Sequence, residues 1–139
     1  MGIPDDLCFI LRCASRDITR FYEDAFAKSD IRSTQFNILV AMEEKEIGSL
    51  TKGAIMLGMD RTTLSRNLTT LVKRGYVLEN DGENSRSRGF KLSDKGRNAV
   101  KEGFNYIAMA QKRVIDRIGQ DEYDKMIKYI RSFIKKLVI

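Results

Sequence analysis

The segment LTKGAIMLGMDRTTLSRNLTTLVKRGYV, residues 50–77, decides the fold of this 139-residue chain. A short helix is expected from Thr51 to about Leu57, because Gly58 follows it as a helix-ending residue. Asp60 then stands at the N-cap of a second helix, expected over residues 61–74. The segment therefore predicts two helices joined by a tight turn.

The second of these helices has two chemically different faces on a helical wheel. Its aliphatic face carries Leu64, Leu68, Leu71 and Val72. The opposite face carries hydroxyls and cations, and no acidic residue follows Asp60 within the helix. Carboxylates would repel phosphates, whereas Arg reads guanine edges and Ser or Thr bind bases or phosphates. We therefore assign DNA contacts to Arg61, Thr62, Thr63, Ser65, Arg66, Thr69 and Lys73.

Two short extended runs, 76–80 and 88–92, follow this helix. The linker between them, DGENSRS, is typical of a hairpin loop. It contributes Arg86, and Arg88 comes two residues later, so strand geometry would place both side chains on one side. An arginine at a wing tip suits a narrow minor groove, so we assign Arg86 and Arg88 to DNA contacts as well. The alternative is that both are ordinary solvated loop arginines.

The remaining chain is helical in pattern. Apolar residues at steps of three and four predict a helix from Asp5 to about Ala25, and Ser33 or Thr34 is expected to cap the next one. Ser93 is expected to cap a long helix to about Ile118, and residues 121–137 form the last helix. The order predicts a mainly α protein with a small β-hairpin wing, a winged helix-turn-helix flanked by terminal helices.

We divide this single domain into a DNA-binding lobe, 33–98, and dimerisation helices, 1–32 and 99–139. The apolar stripes of the terminal helices are long for a small monomer to bury, which favours packing across a two-fold axis. The alternative is that these helices cover one another within one subunit.

Composition narrows the function classes. The chain carries 25 Lys and Arg against 19 Asp and Glu, a net charge of +6, and residues 61–101 hold 10 basic against 4 acidic residues. Such a segment suits a polyanion. There is no His and there are two Cys, so we expect no metal, no cofactor and no enzymatic activity. No apolar run suits a membrane span or a signal peptide, so a cytoplasmic location is expected.

The quoted segment, followed by RSRGFKLSDKG from Arg86, resembles the DNA-binding core of the MarR family of transcriptional regulators. Thr34-Gln35-Phe36 and the terminal helices fit the same plan. The resemblance implies a homodimer that binds double-stranded, pseudo-palindromic operator DNA as a repressor or an activator, of which we favour the repressor. It departs from the family at Asn84, where the wing usually has Asp two residues before the arginine matched to Arg86.

The first helix carries Leu7-Cys8-Phe9, Ala14-Ser15-Arg16 and Phe21-Tyr22. In these residues it is similar to the first helix of the organic-hydroperoxide-sensing branch of the family. The resemblance implies that Cys8 is the reactive thiol and that Tyr22 is the phenol that reaches it. Arg16 lies near in sequence, and Cys13 is five residues from Cys8, so the two thiols cannot bridge within a straight helix. Alternatively, both cysteines are ordinary small hydrophobic residues.

The competing sensing hypothesis is a small aromatic anion, held by aromatic residues of the first two helices with Arg16 or Arg20 at its carboxylate. We therefore predict a regulator whose DNA binding is released by a ligand or by oxidation. The alternative function is a winged-helix protein-interaction module without sequence-specific DNA binding.

Overall fold

The computed structural model describes residues 4–84 and 86–138. Its elements are α1 Leu7–Ala25, α2 Ser33–Glu44, α3 Leu50–Leu57, α4 Arg61–Lys73, β1 Val77–Asn80, β2 Gly89–Leu92, α5 Asp94–Ile118 and α6 Gln120–Leu137. The predicted class, mainly helical with one antiparallel hairpin, is confirmed. The described chain divides into a terminal unit, residues 4–25 with 106–138, and a central unit, residues 26–105.

Most helix boundaries follow the sequence signals. Gly58 takes a left-handed φ of 64° after α3, and Gly75 takes 84° after α4. The Asp60 carboxylate accepts a hydrogen bond from the Thr63 amide at 2.8 Å, and the Ser93 hydroxyl accepts one from the Gly96 amide at 3.0 Å. These side chains satisfy amides that a helix start leaves without intrahelical partners.

The predicted cap of α2 is wrong. Neither Ser33 nor Thr34 is the N-cap; Arg32 holds that position, and Ser33 is a buried first residue of the helix. The Arg32 amide donates instead to the side-chain oxygen of Gln35 at 3.0 Å. This bond is the half of a capping box that the third helical residue makes, and it does not require a hydroxyl at the cap position.

The central unit has one apolar core beneath α4. Leu64, Leu68 and Leu71 are completely buried, as is Phe90 of the hairpin. In the hairpin, Val77 lies opposite Leu92 and Asn80 opposite Gly89. Ile47 extends the sheet by one bridge, because its amide and carbonyl both bond to Phe90, at 3.0 and 2.8 Å. The base of the wing is thereby tied to the loop before α3.

Phe36 lies at the centre of an aromatic cluster in the same unit. Its ring centroid is 5.3 Å from that of Phe26 and 5.4 Å from that of Phe104, the second pair being edge-on. The Phe36 ring presses against the backbone of α5 at Gly103, where an added Cβ would overlap the ring. A glycine in the middle of this helix is therefore a packing requirement.

The terminal unit is the less buried of the two. No described residue of α6 is buried, and Tyr129, Ile134 and Leu137 are more than half exposed. Leu7, Phe9 and Ile10 of α1 are also exposed. Among the described helices, none is long and apolar enough to cross a membrane.

We expect Gly103→Ala to destabilise the protein by about 1–3 kcal/mol through overpacking against Phe36. On helix propensity alone the same change would stabilise it by roughly 0.5–1 kcal/mol. Urea unfolding of the wild type, Gly103→Ala, Phe36→Leu and the double variant measures the effect. The double variant should lose less than the sum of the single losses, because the smaller side chain makes room for the methyl group. A stabilised Gly103→Ala variant would contradict the packing argument.

Candidate nucleic-acid interface

The outward face of α4 is the most distinctive surface of the central unit. Thr62, Arg66, Thr69 and Lys73 are all exposed, while the leucines of the opposite face are buried. Arg61, Thr62, Ser65 and Arg66 also line a shallow groove beside Leu50, at the start of α3. The orientation that the helical wheel predicts is therefore the observed one, and the helix presents cations and hydroxyls without a carboxylate.

Several hydroxyl groups of α4 already donate a hydrogen bond. Thr69 donates to the Ser65 carbonyl at 2.8 Å, and Thr70 to the Arg66 carbonyl at 3.2 Å. Thr63 donates to the Asp60 carboxylate at 2.7 Å. A hydroxyl in this arrangement keeps its acceptor lone pairs, which match the amino donors of adenine and cytosine in a major groove.

The arginines and lysines assigned to DNA contact fall into two groups. Arg61, Arg66, Lys73 and Arg86 take part in no ion pair within residues 4–84 and 86–138. Arg88 differs, because its Nε lies 2.6 Å from Oε1 of Glu79. Four of these cations are therefore available to phosphates or bases without first breaking a described ion pair.

The wing loop is held by a neutral side chain where the resembled family usually has an acidic one. Asn84 Oδ1 accepts from the Arg86 amide at 2.9 Å and from the Ser87 hydroxyl at 3.2 Å. Lys52 of α3 is ion-paired with Glu83 at 2.6 Å, and the Glu83 amide bonds to the Gly48 carbonyl at 3.0 Å. These contacts fix the loop against the start of the helix-turn-helix.

The strand geometry that was expected to place Arg86 and Arg88 on one side does not apply. Strand β2 begins at Gly89, so both arginines precede it, and Arg86 lies in a turn. The period of two that places side chains on one face applies only within an extended strand. Arg86 remains exposed in the loop, whereas Arg88 is directed toward Glu79.

Sequence reasoning missed a polar link between α2 and α4. The side-chain amide of Gln35 donates to Asn67 Oδ1 at 3.4 Å, and Asn67 Nδ2 donates to the Thr63 carbonyl at 2.9 Å. Gln35 is itself buried. A glutamine within the apolar pattern of α2 was the available signal, since a buried amide requires partners.

The candidate sensing residues lie in the terminal unit. Cys8 is exposed and Cys13 is half-buried, and both are free thiols. The Arg16 guanidinium lies 3.3 Å from the Asp17 carboxylate, so its described ion pair is with Asp17 and not with the thiol of Cys8 or Cys13. The pKa of Tyr22 is raised, first by burial and then by its hydrogen-bonding neighbour Tyr123. No cluster suited to holding a metal ion occurs among the described residues.

Tyr22 cannot reach Cys8 of the same chain. Both lie on α1, and the fourteen residues that separate them correspond to about 21 Å along the helix axis. The contact that the resemblance implies would require a second chain.

Comparison with known proteins shows a similarity to transcriptional regulators in sequence and to solved regulator structures in fold. No model of a known family matches the chain. The HTH-type transcriptional regulator SarZ of Staphylococcus haemolyticus is 27% identical over 132 residues, which cover 95% of this chain and 89% of SarZ. Two solved structures share the fold. The transcriptional repressor CouR, bound to a 23-mer DNA duplex, aligns with a TM-score of 0.81 at 21% identity, covering 94% of this chain and 93% of CouR. A MarR-family regulator from Rhodococcus sp. RHA1 aligns with a TM-score of 0.81 at 19% identity, and the alignment covers 96% of this chain and 95% of the regulator.

The Asp60 cap is expected to make the stability of the protein depend on pH, with lower stability at acidic pH. Hydrogen bonds from Thr63 hold the pKa of Asp60 below its ordinary value. A carboxyl whose pKa is lowered on folding stabilises the protein above its unfolded pKa, and this contribution is lost as the pH falls through the folded pKa. We therefore expect the stability advantage of the wild type over Asp60→Asn to shrink between neutral pH and about pH 3.

Chemical unfolding of both proteins across that range measures the difference. Asp60→Asn retains an oxygen that accepts the Thr63 amide bond but loses the second oxygen that accepts the Thr63 hydroxyl, so the pH dependence of the difference, and not its size, reports the charge. A difference that stays constant with pH would contradict the charged cap.

Proposed function

We propose that this chain, a MarR-family transcriptional regulator by sequence and fold, acts as a homodimer that binds operator DNA sequence-specifically. The observation that supports DNA binding most directly is the outward face of α4, which has cations and hydroxyls and no carboxylate. In a winged helix-turn-helix this helix enters the major groove. The family relationship and the chemistry of the face therefore support the same function.

Within this proposal the contacts divide by position. Arg66, with Thr62 and Ser65, is assigned to base edges. Lys73, about two helical turns after Arg66, is assigned to the phosphate backbone. Arg86, exposed and in no described ion pair, is assigned to the adjacent minor groove. The surface is completed by Arg61, Thr63 and Thr69.

The terminal unit is proposed to form the dimer. Burying a large apolar side chain contributes roughly 1.5–3 kcal/mol. The exposed apolar residues of α1 and α6 make such burial available, and self-association across a two-fold axis would use the same patch on both chains. Paired half-sites in a pseudo-palindromic operator require this symmetry.

Release of DNA is proposed to occur through the terminal unit, by a ligand or by oxidation. A groove of about 540 Å³ lies between α1, the end of α5 and α6, and its lining is mostly apolar. Arg117 lies in it with its guanidinium 5.4 Å from the centre of the Phe21 ring. A cation beside aromatic rings suits a small aromatic anion. An organic peroxide at Cys8 is the alternative trigger, and the exposure of this thiol supports it.

The competing hypothesis is a protein-interaction module. Such a module has no need of a recognition face without carboxylates, so the α4 surface favours DNA. No catalytic step is assigned to the chain, and its proposed location is the cytoplasm, where a bacterial or archaeal regulator meets DNA.

We expect Arg66→Ala to weaken binding to the selected operator by about 1–3 kcal/mol and to relax sequence choice at one position. Selection from random duplexes supplies the operator, and fluorescence anisotropy measures the affinities. Arg97→Ala is the matched control, because it removes an exposed arginine at the start of α5 that is not assigned to DNA. Equal losses on the operator and on a random duplex would show that Arg66 contacts only phosphate.

We expect Ile134→Glu to convert the dimer to a species of one chain, 15.9 kDa, in sedimentation equilibrium. A carboxylate placed in a buried apolar interface lacks a partner and is strongly unfavourable there. Ser132→Glu is the control, because it adds the same charge to a position about 160° away around α6. A dimer that persists in Ile134→Glu would place the interface elsewhere.

A further inference from the structure

Arg88 differs from the other arginines assigned to DNA, because contacts within the chain fix its guanidinium. Its Nε donates to Glu79 Oε1 at 2.6 Å, and its Nη1 lies 3.4 Å from the Ser65 hydroxyl. Its Cζ lies 5.2 Å from the centre of the Phe90 ring. The side chain is less than half exposed.

These contacts join three elements around one planar group. Glu79 belongs to β1, Phe90 to β2, and Ser65 to α4. The guanidinium carries its donors in a fixed fork, so holding two acceptors at once fixes their relative position. A short charge-assisted bond of this kind is stronger than a bond between neutral groups.

The charge state of the pair is consistent with this geometry. The pKa of Glu79 is lowered, chiefly because Arg88 donates a hydrogen bond to its carboxylate, and the pKa of Arg88 is raised for the same reason. Both groups are therefore ionised at neutral pH, and the charge of Arg88 is neutralised locally.

From these contacts we propose that Arg88 and Glu79 are positioning residues, which hold the wing in a fixed relation to α4 and do not themselves contact DNA. The inference rests on the proposed DNA binding and revises the sequence-based assignment of Arg88. In this arrangement Arg86 contacts DNA, and the Arg88–Glu79 pair sets where the Arg86 loop lies relative to the recognition surface.

Variants of Glu79 distinguish two roles for Arg88, phosphate binding and positioning of the wing, because the two roles predict opposite changes in operator affinity. If Arg88 binds phosphate, removing the Glu79 carboxylate frees it, and Glu79→Ala and Glu79→Gln both bind operator more tightly. If the pair positions the wing, Glu79→Ala weakens operator binding by about tenfold, the value of one charged hydrogen bond. Glu79→Gln, which keeps an acceptor for Arg88, should lie between Glu79→Ala and the wild type.

Salt dependence gives a second readout that a change in stability alone would not move. We expect Arg88→Ala, added to Arg86→Ala, to leave the slope of log affinity against log salt as it is in Arg86→Ala alone, because the pair acts on DNA only through the Arg86 loop. Arg86→Ala should reduce that slope by about 0.9, the value for one phosphate contact. The Glu79→Ala/Arg88→Ala double variant should bind no more weakly than Arg88→Ala alone, because the two residues act as one unit.

All variants are titrated against the same duplex at one DNA concentration, with thermal unfolding as the check on folding and Arg97→Ala as the unaffected control. Tighter binding by Glu79→Ala, or a further reduction of the slope when Arg88→Ala is added to Arg86→Ala, would overturn the positioning role. Absence of operator binding by the wild type is a different outcome, because it would overturn the proposed function itself.

Discussion

The burial of three leucines on one side of α4 is the constraint on which the rest of the structure depends. Leu64, Leu68 and Leu71 are completely enclosed, and each contributes roughly 1.5–3 kcal/mol relative to an exposed position. Rotating α4 about its axis would expose these side chains, so its orientation is fixed. The opposite face, with Thr62 and Arg66, is therefore held toward solvent as a consequence of core packing. A recognition surface built in this way needs no contact of its own to keep it in place.

Polar contacts add further constraints on the position of α4 and of the wing, beyond the burial of the leucines. Asp60 fixes the first turn of α4, and the link through Gln35 and Asn67 ties the same turn to α2. The Ile47–Phe90 bridge fixes the base of the wing, and the Lys52–Glu83 pair fixes its loop. These interactions are modest individually, since exposed ion pairs contribute about 0–1 kcal/mol. Their effect is to restrict the relative positions of helices and strands that the apolar core already brings together.

The sequence was most informative where one local interaction determines the structure. Gly58, Asp60, Gly75 and Ser93 mark helix ends through backbone conformation or a single hydrogen bond, and each acts as predicted. The helical period likewise gave the two faces of α4. The sequence was least informative where an interaction joins distant residues. The cap of α2 was misassigned because the helix already includes Ser33, which leaves Arg32 at the cap position, where its amide donates to Gln35. The pairing of Arg88 with Glu79 depends on hairpin register and on where β2 begins. The exposed apolar faces of α1 and α6 were visible as stripes, but a periodic stripe does not specify its partner.

A crystal structure of the chain with its selected operator duplex tests the central claim most directly, through the distances from the α4 side chains to the base edges. We expect Arg66 within hydrogen-bonding distance of a base in the major groove, and the same contact repeated one helical turn away by a second chain, about 34–36 Å along the duplex. A complex in which the outward face of α4 is directed away from the duplex would contradict the account.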